Sequence, residues 1–336
     1  MASDQQVQEA THQQRDQPPV QPEAPAVADT VEADDDDASI ILDYRRENGR
    51  RYHRLSNGKY VWPNDEQEQE RLDIVNHLWM LTLDGAFCLC PKNKHARRVL
   101  DLGTGTGAWA LDYADEHPKS RVIGVDLSPI QPSYVPPNCS FEIDDLEKDW
   151  TWTEPFDFIL ARNMILSFSD WDRAMEQAYE HLEPGGYFEI QDSHWPITCD
   201  DDTLRGTPLE RWTHMMADAA NRTGRPLDKT AHLSEKMTAA GFVNVTKTRI
   251  RFPASPWPKD EKLRELGYWT QASVLPGIEG MSLALFTRVL DWSAAETIVF
   301  CAQVREKVKD TKIHAYWNGH VIHSRKPLNA EQVGHT

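Results

Sequence analysis

Short apolar runs alternating with amphipathic stretches dominate the middle of the chain. Five runs read as strands: Arg98 to Leu102, Arg121 to Asp126, Cys139 to Ile143, Phe156 to Ala161 and Gly186 to Gln191. Helical spacing lies between several of them, notably from Ala108 to His117 and from Asp170 to Leu182. Such alternation is the mark of a parallel sheet covered by helices on both faces, because each crossover returns the chain to the same end of the sheet. Upstream, Leu72, Val75, Leu78, Trp79 and Leu83 recur near helical spacing behind acids at Glu66, Glu68 and Glu70. Asn64 or Asp65 is placed to cap that helix, which must bury its apolar face on something.

Downstream of Asp192 the pattern is mainly helical. Helices are predicted over Pro208 to Asn221, with Thr207 as cap, and over His232 to Ala240, ended by Gly241. Two more are expected over about Glu261 to Leu275 and Met281 to Val308. Strand-like stretches run from Phe242 to Thr246, from Ile313 to Trp317 and from Gly319 to Arg325.

Composition changes the picture at the ends. Of 336 residues, 53 are Asp or Glu and 36 Lys or Arg, a net charge of −17. Ten of those acids fall in residues 1 to 39 against the single base Arg15, so over half of the excess lies in that stretch. Its Gln, Pro, Ala and acid content cannot bury enough apolar surface to offset ordering, and it reads as a disordered acidic tail. The acidity argues against direct nucleic-acid binding, since phosphates need surplus cations. Arg45, Arg46, Arg50 and Arg51 form a local basic cluster. Five cysteines without CxxC spacing indicate neither a disulfide framework nor a zinc site and suggest reduced thiols in the cytoplasm or nucleus. No apolar run approaches a membrane span, and the expectation is a soluble, intracellular protein. His320 and His323, three apart on a strand, face opposite sides and are not read as a metal pair.

The chemistry begins at Asp101-Leu102-Gly103-Thr104-Gly105-Thr106-Gly107, where a strand ends in a glycine-rich turn that opens a helix. Glycines admit a ligand close to the backbone, and the helix start offers it amides. Asp126, at the end of the next strand, can accept both hydroxyls of a ribose. Gly103-x-Gly105-x-x-Ala108 also reads as a dinucleotide fingerprint, which would suit NAD. The compact glycine spacing, Asp101 just before it and Asp144-Asp145 after the third strand favour S-adenosylmethionine instead, because its ammonium and its adenine amine are both donors.

These motifs, with Leu182-Glu183-Pro184-Gly185-Gly186-Tyr187, resemble the class I S-adenosylmethionine-dependent methyltransferases. Tyr60-Val61-Trp62-Pro63-Asn64-Asp65, Arg71-Leu72-Asp73, Ser167-Phe168-Ser169-Asp170-Trp171, Pro256-Trp257-Pro258 and Arg325-Lys326-Pro327 resemble the fungal LaeA-like branch associated with secondary metabolism. The resemblance implies a Rossmann-like α/β fold: a seven-stranded, mostly parallel sheet with helices on both faces and a helical cap. It implies an acidic tail over 1–39, an N-terminal segment over 40–95, a methyltransferase domain over 96–327 with cap insertions near 200–235 and 257–310, and a tail over 328–336. It places Asp101, Gly103, Thr104, Gly105 and Gly107 around the methionine part of S-adenosylmethionine, Asp126 at the ribose, Leu127 on the base and Asp144 or Asp145 at the adenine. Arg162 and Asn163 would stand where cofactor and acceptor meet. His194 is the candidate base, while Trp212, Met216, Tyr268 and Trp269 are candidates to line a hydrophobic acceptor. No metal is implied. The expected activity is methylation of a small molecule in secondary metabolism; the alternative is a regulator acting through a velvet-type protein partner or by protein methylation.

Overall fold

The computed structural model describes residues 44–53 and 60–328; the acidic tail and the residues beyond 328 lie outside them. The chain opens with a hairpin, β1 (Tyr44–Glu47) and β2 (Arg50–His53), that the sequence reading treated only as a basic cluster. Asn48 and Gly49 supply its turn with φ of 50° and 77°, the positive values a two-residue hairpin requires. Helix α1 (Glu66–Thr82) follows, capped by Asp65, whose carboxylate accepts from the Glu68 amide.

Seven strands then form the central sheet: β3 (Arg98–Leu102), β4 (Arg121–Asp126), β5 (Cys139–Ile143), β6 (Phe156–Arg162), β7 (Leu182–Cys199), β8 (Val243–Pro253) and β9 (Ala315–Arg325). Their spatial order is β5-β4-β3-β6-β7-β9-β8, with β3 to β7 parallel and β9 antiparallel to both of its neighbours. Every residue of β6 is buried, which explains its apolar run from Phe158 to Ala161. From β3 the chain builds outward to β4 and β5, then crosses back to β6 on the other side. The reversal leaves a crevice at the carboxyl ends of β3 and β6, where open α/β sheets take their ligands.

Helix α2 (Ala108–Glu116) packs Trp109 and Tyr113 on one face of the sheet against Phe158 and Phe87. On the opposite face, α3 (Trp171–His181) and α5 (Leu233–Ala239) cover Leu100, Ile123, Phe188 and Ile190. The largest apolar cluster is neither of these. It joins α1 to α4 (Pro208–Arg222), α6 (Glu261–Val289) and α7 (Ala294–Lys309) through Trp79, Trp195, Trp212, Met216, Phe286 and Phe300.

Two expectations are corrected. Helix α6 runs straight through Pro276 and ends at Leu290; there Asp291 takes φ of 57°, and Ser293 starts α7 through a reciprocal capping box with Glu296. The carbonyls beside the proline are held from neighbouring helices, Leu275 by Arg305 at 3.2 Å and Pro276 by Gln67 at 3.2 Å. The strand expected over Gly186 to Gln191 extends to Cys199, because β9 is long enough to pair with it from Tyr187↔Arg325 to Cys199↔Ala315. No described helix is long and apolar enough to cross a membrane.

Candidate active site

The glycine turn is shaped by three residues with positive φ that do different jobs. A side-chain carbon on Gly103 would lie 2.1 Å from the Met164 sulfur, and one on Gly107 would lie 2.4 Å from the Phe141 ring. Both glycines therefore serve packing. Gly107, expected to touch cofactor, instead caps α2 in the left-handed region and lies outside the cleft lining. Gly105, with φ of 59°, has only Leu72 near such a carbon, at 3.4 Å, and faces the open cleft.

That cleft is walled by Asp101, Gly103, Thr104, Gly105, Asp126, Leu127, Asp144, Asp145, Arg162 and Asn163, all expected from the sequence. Asp126 sits at the end of β4 with one oxygen accepting from the Gly105 amide at 2.8 Å and the other from Ser128 at 2.9 Å. Burial raises its pKa to about 6 despite those bonds. Asp101 accepts from Thr104 Oγ1 at 2.7 Å, and burial raises it to about 7, with Arg162 opposing. Asp145 is buried, whereas Asp144 is half-buried with its amide on the Asp126 carbonyl.

Arg162 is held by three partners: Gln191 Oε1 at 2.7 Å, Asn76 Oδ1 at 2.8 Å and the Phe87 carbonyl at 3.3 Å. Burial lowers its pKa to about 10, so it remains a cation, favoured by Asp101 and Glu189. Phe87 is presented by the turn that includes Cys88 and Cys90, whose sulfurs are 3.6 Å apart. Glu189 lies within ligand distance of both, yet it already accepts from the amides of Leu89 and Cys90 and from Gln191. A carboxylate so occupied braces the turn.

The sequence reading gave no role to the N-terminal segment, which supplies the opposite wall with Tyr60, Trp62, Asn64, Glu68, Arg71, Leu72 and Asn76. The only prior sign was that several of these stand within the stretches shared with the LaeA-like branch. Asn64 donates to Ser128 Oγ at 3.1 Å and Thr106 Oγ1 to Asp73 at 2.7 Å, tying that wall to the glycine turn. Arg71 forms a buried pair with Glu68 at 2.7 Å.

A second cavity shares Trp62, Arg71 and Asn163 with the cleft and continues between Trp79, Asp192, Trp195, Phe252, Ser273 and Trp317. The expected acceptor residues are elsewhere. Trp212 and Met216 are wholly buried in the helical cluster, with the Trp212 indole donating to Ser282 at 2.8 Å. Tyr268 is 57 % exposed, and Trp269 packs on His77 at 4.4 Å between ring centres. His194 lines neither cavity; its ring lies 6.4 Å from that of His320, and burial lowers its pKa. The carboxylate that does line the second cavity is Asp192, two residues earlier.

The residues present fit S-adenosylmethionine: Gly105 puts no side chain into the cleft, and the carboxylates Asp101, Asp126, Asp144 and Asp145 line it. The family model for a methyltransferase domain matches residues 71–247. Methyltransferase pytC of Aspergillus terreus is 40% identical over 292 residues, 86% of this chain and 90% of its own. Secondary metabolism regulator laeA of Aspergillus fumigatus is 36% identical over 289 residues, 84% and 77% of the two chains. Protein-methionine methyltransferase laeA of Emericella nidulans is 35% identical over 288 residues, 85% and 77%.

Proposed function

The chain belongs to the methyltransferase-domain family and is an S-adenosylmethionine-dependent methyltransferase, and from that premise we propose that it methylates a small molecule in fungal secondary metabolism. The observation that carries this reading is the pair of adjoining cavities, a polar cleft at the carboxyl ends of β3 and β6 and an aromatic cavity sharing three of its wall residues. S-Adenosylmethionine, when bound, supplies an electrophilic methyl group. The protein's part is placement: Gly105 opens backbone to the ligand, Asp126 takes hydroxyls, and Asp144 takes an amine donor. Arg162, fixed by three bonds, holds Asn76 and Gln191 in line behind the cleft. The indoles of Trp62 and Trp79 exclude water from the junction, where near-attack geometry supplies most of the rate.

The laeA relatives, named as a secondary metabolism regulator and a protein-methionine methyltransferase, favour a second reading, a regulator that methylates protein; a velvet-type partner and a place in the cytoplasm or nucleus are proposed with it on the LaeA-like resemblance alone. Gene deletion separates the two. A pathway enzyme leaves one metabolite lacking a methyl group and its precursor accumulating. Broad loss of metabolites with altered transcripts would reject the small-molecule assignment.

A further inference from the structure

The aromatic cavity is walled by residues with buried polar atoms that lack a well-formed hydrogen bond within the fold. Asp192, 2 % exposed, has one oxygen on the Ser193 amide at 2.8 Å and the amides of Ile165 and Met164 near enough to favour its charge, while Oδ2 makes no well-formed hydrogen bond. The indole nitrogens of Trp62 and Trp317, both of which line the same cavity, are likewise buried without partners. The adjoining cleft is different, since Asp126 and Arg162 are occupied. An unpaired buried carboxylate oxygen or indole N–H destabilises the fold unless something else bonds to it.

Taken together the three atoms form a template of one acceptor and two donors in an apolar surround. A cationic acceptor would answer Asp192 and could stack on the indoles, but an ammonium carries no acceptor and would leave both N–H groups unpaired. A wholly apolar acceptor would leave all three. Arg71, the other charged residue of the wall, is already paired with Glu68.

Resting on the methyltransferase reading, we infer that the acceptor is a neutral, mainly apolar, oxygenated ring compound whose hydroxyl donates to Asp192 Oδ2 and whose other oxygens accept from the indoles of Trp62 and Trp317. Asp192 is thus the residue that selects the acceptor, and it lies on β7, beyond the cofactor motifs.

The test is equilibrium dialysis of the full chain, saturated with S-adenosylhomocysteine, against 7-hydroxycoumarin, 7-methoxycoumarin and phenyltrimethylammonium. The hydroxyl compound is expected to bind at least roughly tenfold tighter than its methyl ether, the ratio of one charge-assisted hydrogen bond. Asp192→Leu should bring that ratio to near one while the ether still binds, which shows the cavity intact. Trp317→Phe should weaken both coumarins alike. Tightest binding of the ammonium, an undiminished ratio in Asp192→Leu, or no coumarin binding at about 1 mM would overturn the inference. Calorimetry with S-adenosylhomocysteine alone distinguishes the two levels: its failure to bind refutes the methyltransferase reading, whereas binding without hydroxyl preference refutes only the acceptor class.

Discussion

The cleft and the aromatic cavity share a wall but are finished to different degrees. In the cleft, each charged group near the glycine turn meets a partner from the chain: Asp126 two amides, Asp101 a hydroxyl, Arg162 three oxygens. In the cavity, Asp192 Oδ2 and two indole N–H groups make no well-formed hydrogen bond, although the Ile165 and Met164 amides stand near that carboxylate. The first arrangement is rigid before any ligand arrives. The second carries unsatisfied polarity, and that asymmetry separates a site built for a fixed cofactor from one whose complement comes with the acceptor.

Gly105→Arg is the strongest way to break this comparison. The side chain would enter the cleft from a position with φ of 59°, and calorimetry should show S-adenosylmethionine affinity reduced beyond roughly a thousandfold. Next is Asp126→Asn. Two amides require two acceptors and Asn offers one, so the variant should lose about 1–3 kcal/mol in denaturant unfolding and roughly tenfold or more in cofactor affinity.

The same exchange at Asp192 should have the opposite sign. Burial raises its pKa from 3.8 to about 7, so the folded protein disfavours the ionised form, and stability is lost as pH climbs from near 4 through 7. Asp192→Asn escapes that loss. Its melting temperature should exceed that of the parent by a few degrees at pH 8, on the scale of roughly 2–4 °C per kcal/mol, and match it near pH 4. A uniform difference across pH would place the effect in packing rather than charge. The smallest effect belongs to Ser293→Ala, which removes the capping box of α7; unfolding should show a loss of about 1 kcal/mol with both ligand affinities unchanged.

What was legible in the sequence was local. Strands β3 to β6 and the glycine turn are short segments whose residue types state their own geometry, and Asp126 follows from its place at a strand end. Most of the aromatic cavity was not legible, because Trp62, Asp192, Phe252 and Trp317 are brought together by β7, β8, β9 and the N-terminal segment, which no sequence spacing relates; only Asn163, just past β6, was expected there. Aromatic residues at helical spacing looked like a lining; Trp212 and Met216 turned out to be core, as apolar residues on an amphipathic face usually are. The break expected between Leu275 and Met281 does not occur, and the side chains of Gln67 and Arg305 that hold the carbonyls around Pro276 come from helices remote in sequence. The hairpin at Asn48-Gly49 was readable and was overlooked beneath its arginines.

Helix α6 carries Gly277 and Gly280 where side chains would collide with Arg71 at 2.6 Å and with Arg50 at 2.5 Å. Gly277 receives the Cδ methylene of Arg71 and Gly280 the guanidinium of Arg50, which is further pinned to Asp65 by two 2.7 Å bonds. The cap helix is therefore matched to the two arginines, Arg50 and Arg71, that fit against it. A chimera that grafts α6 from a relative onto this chain needs residues 50 to 71 from the same donor; cut at residue 71, where the family match begins, the graft would leave a guanidinium facing a mould cast for another protein.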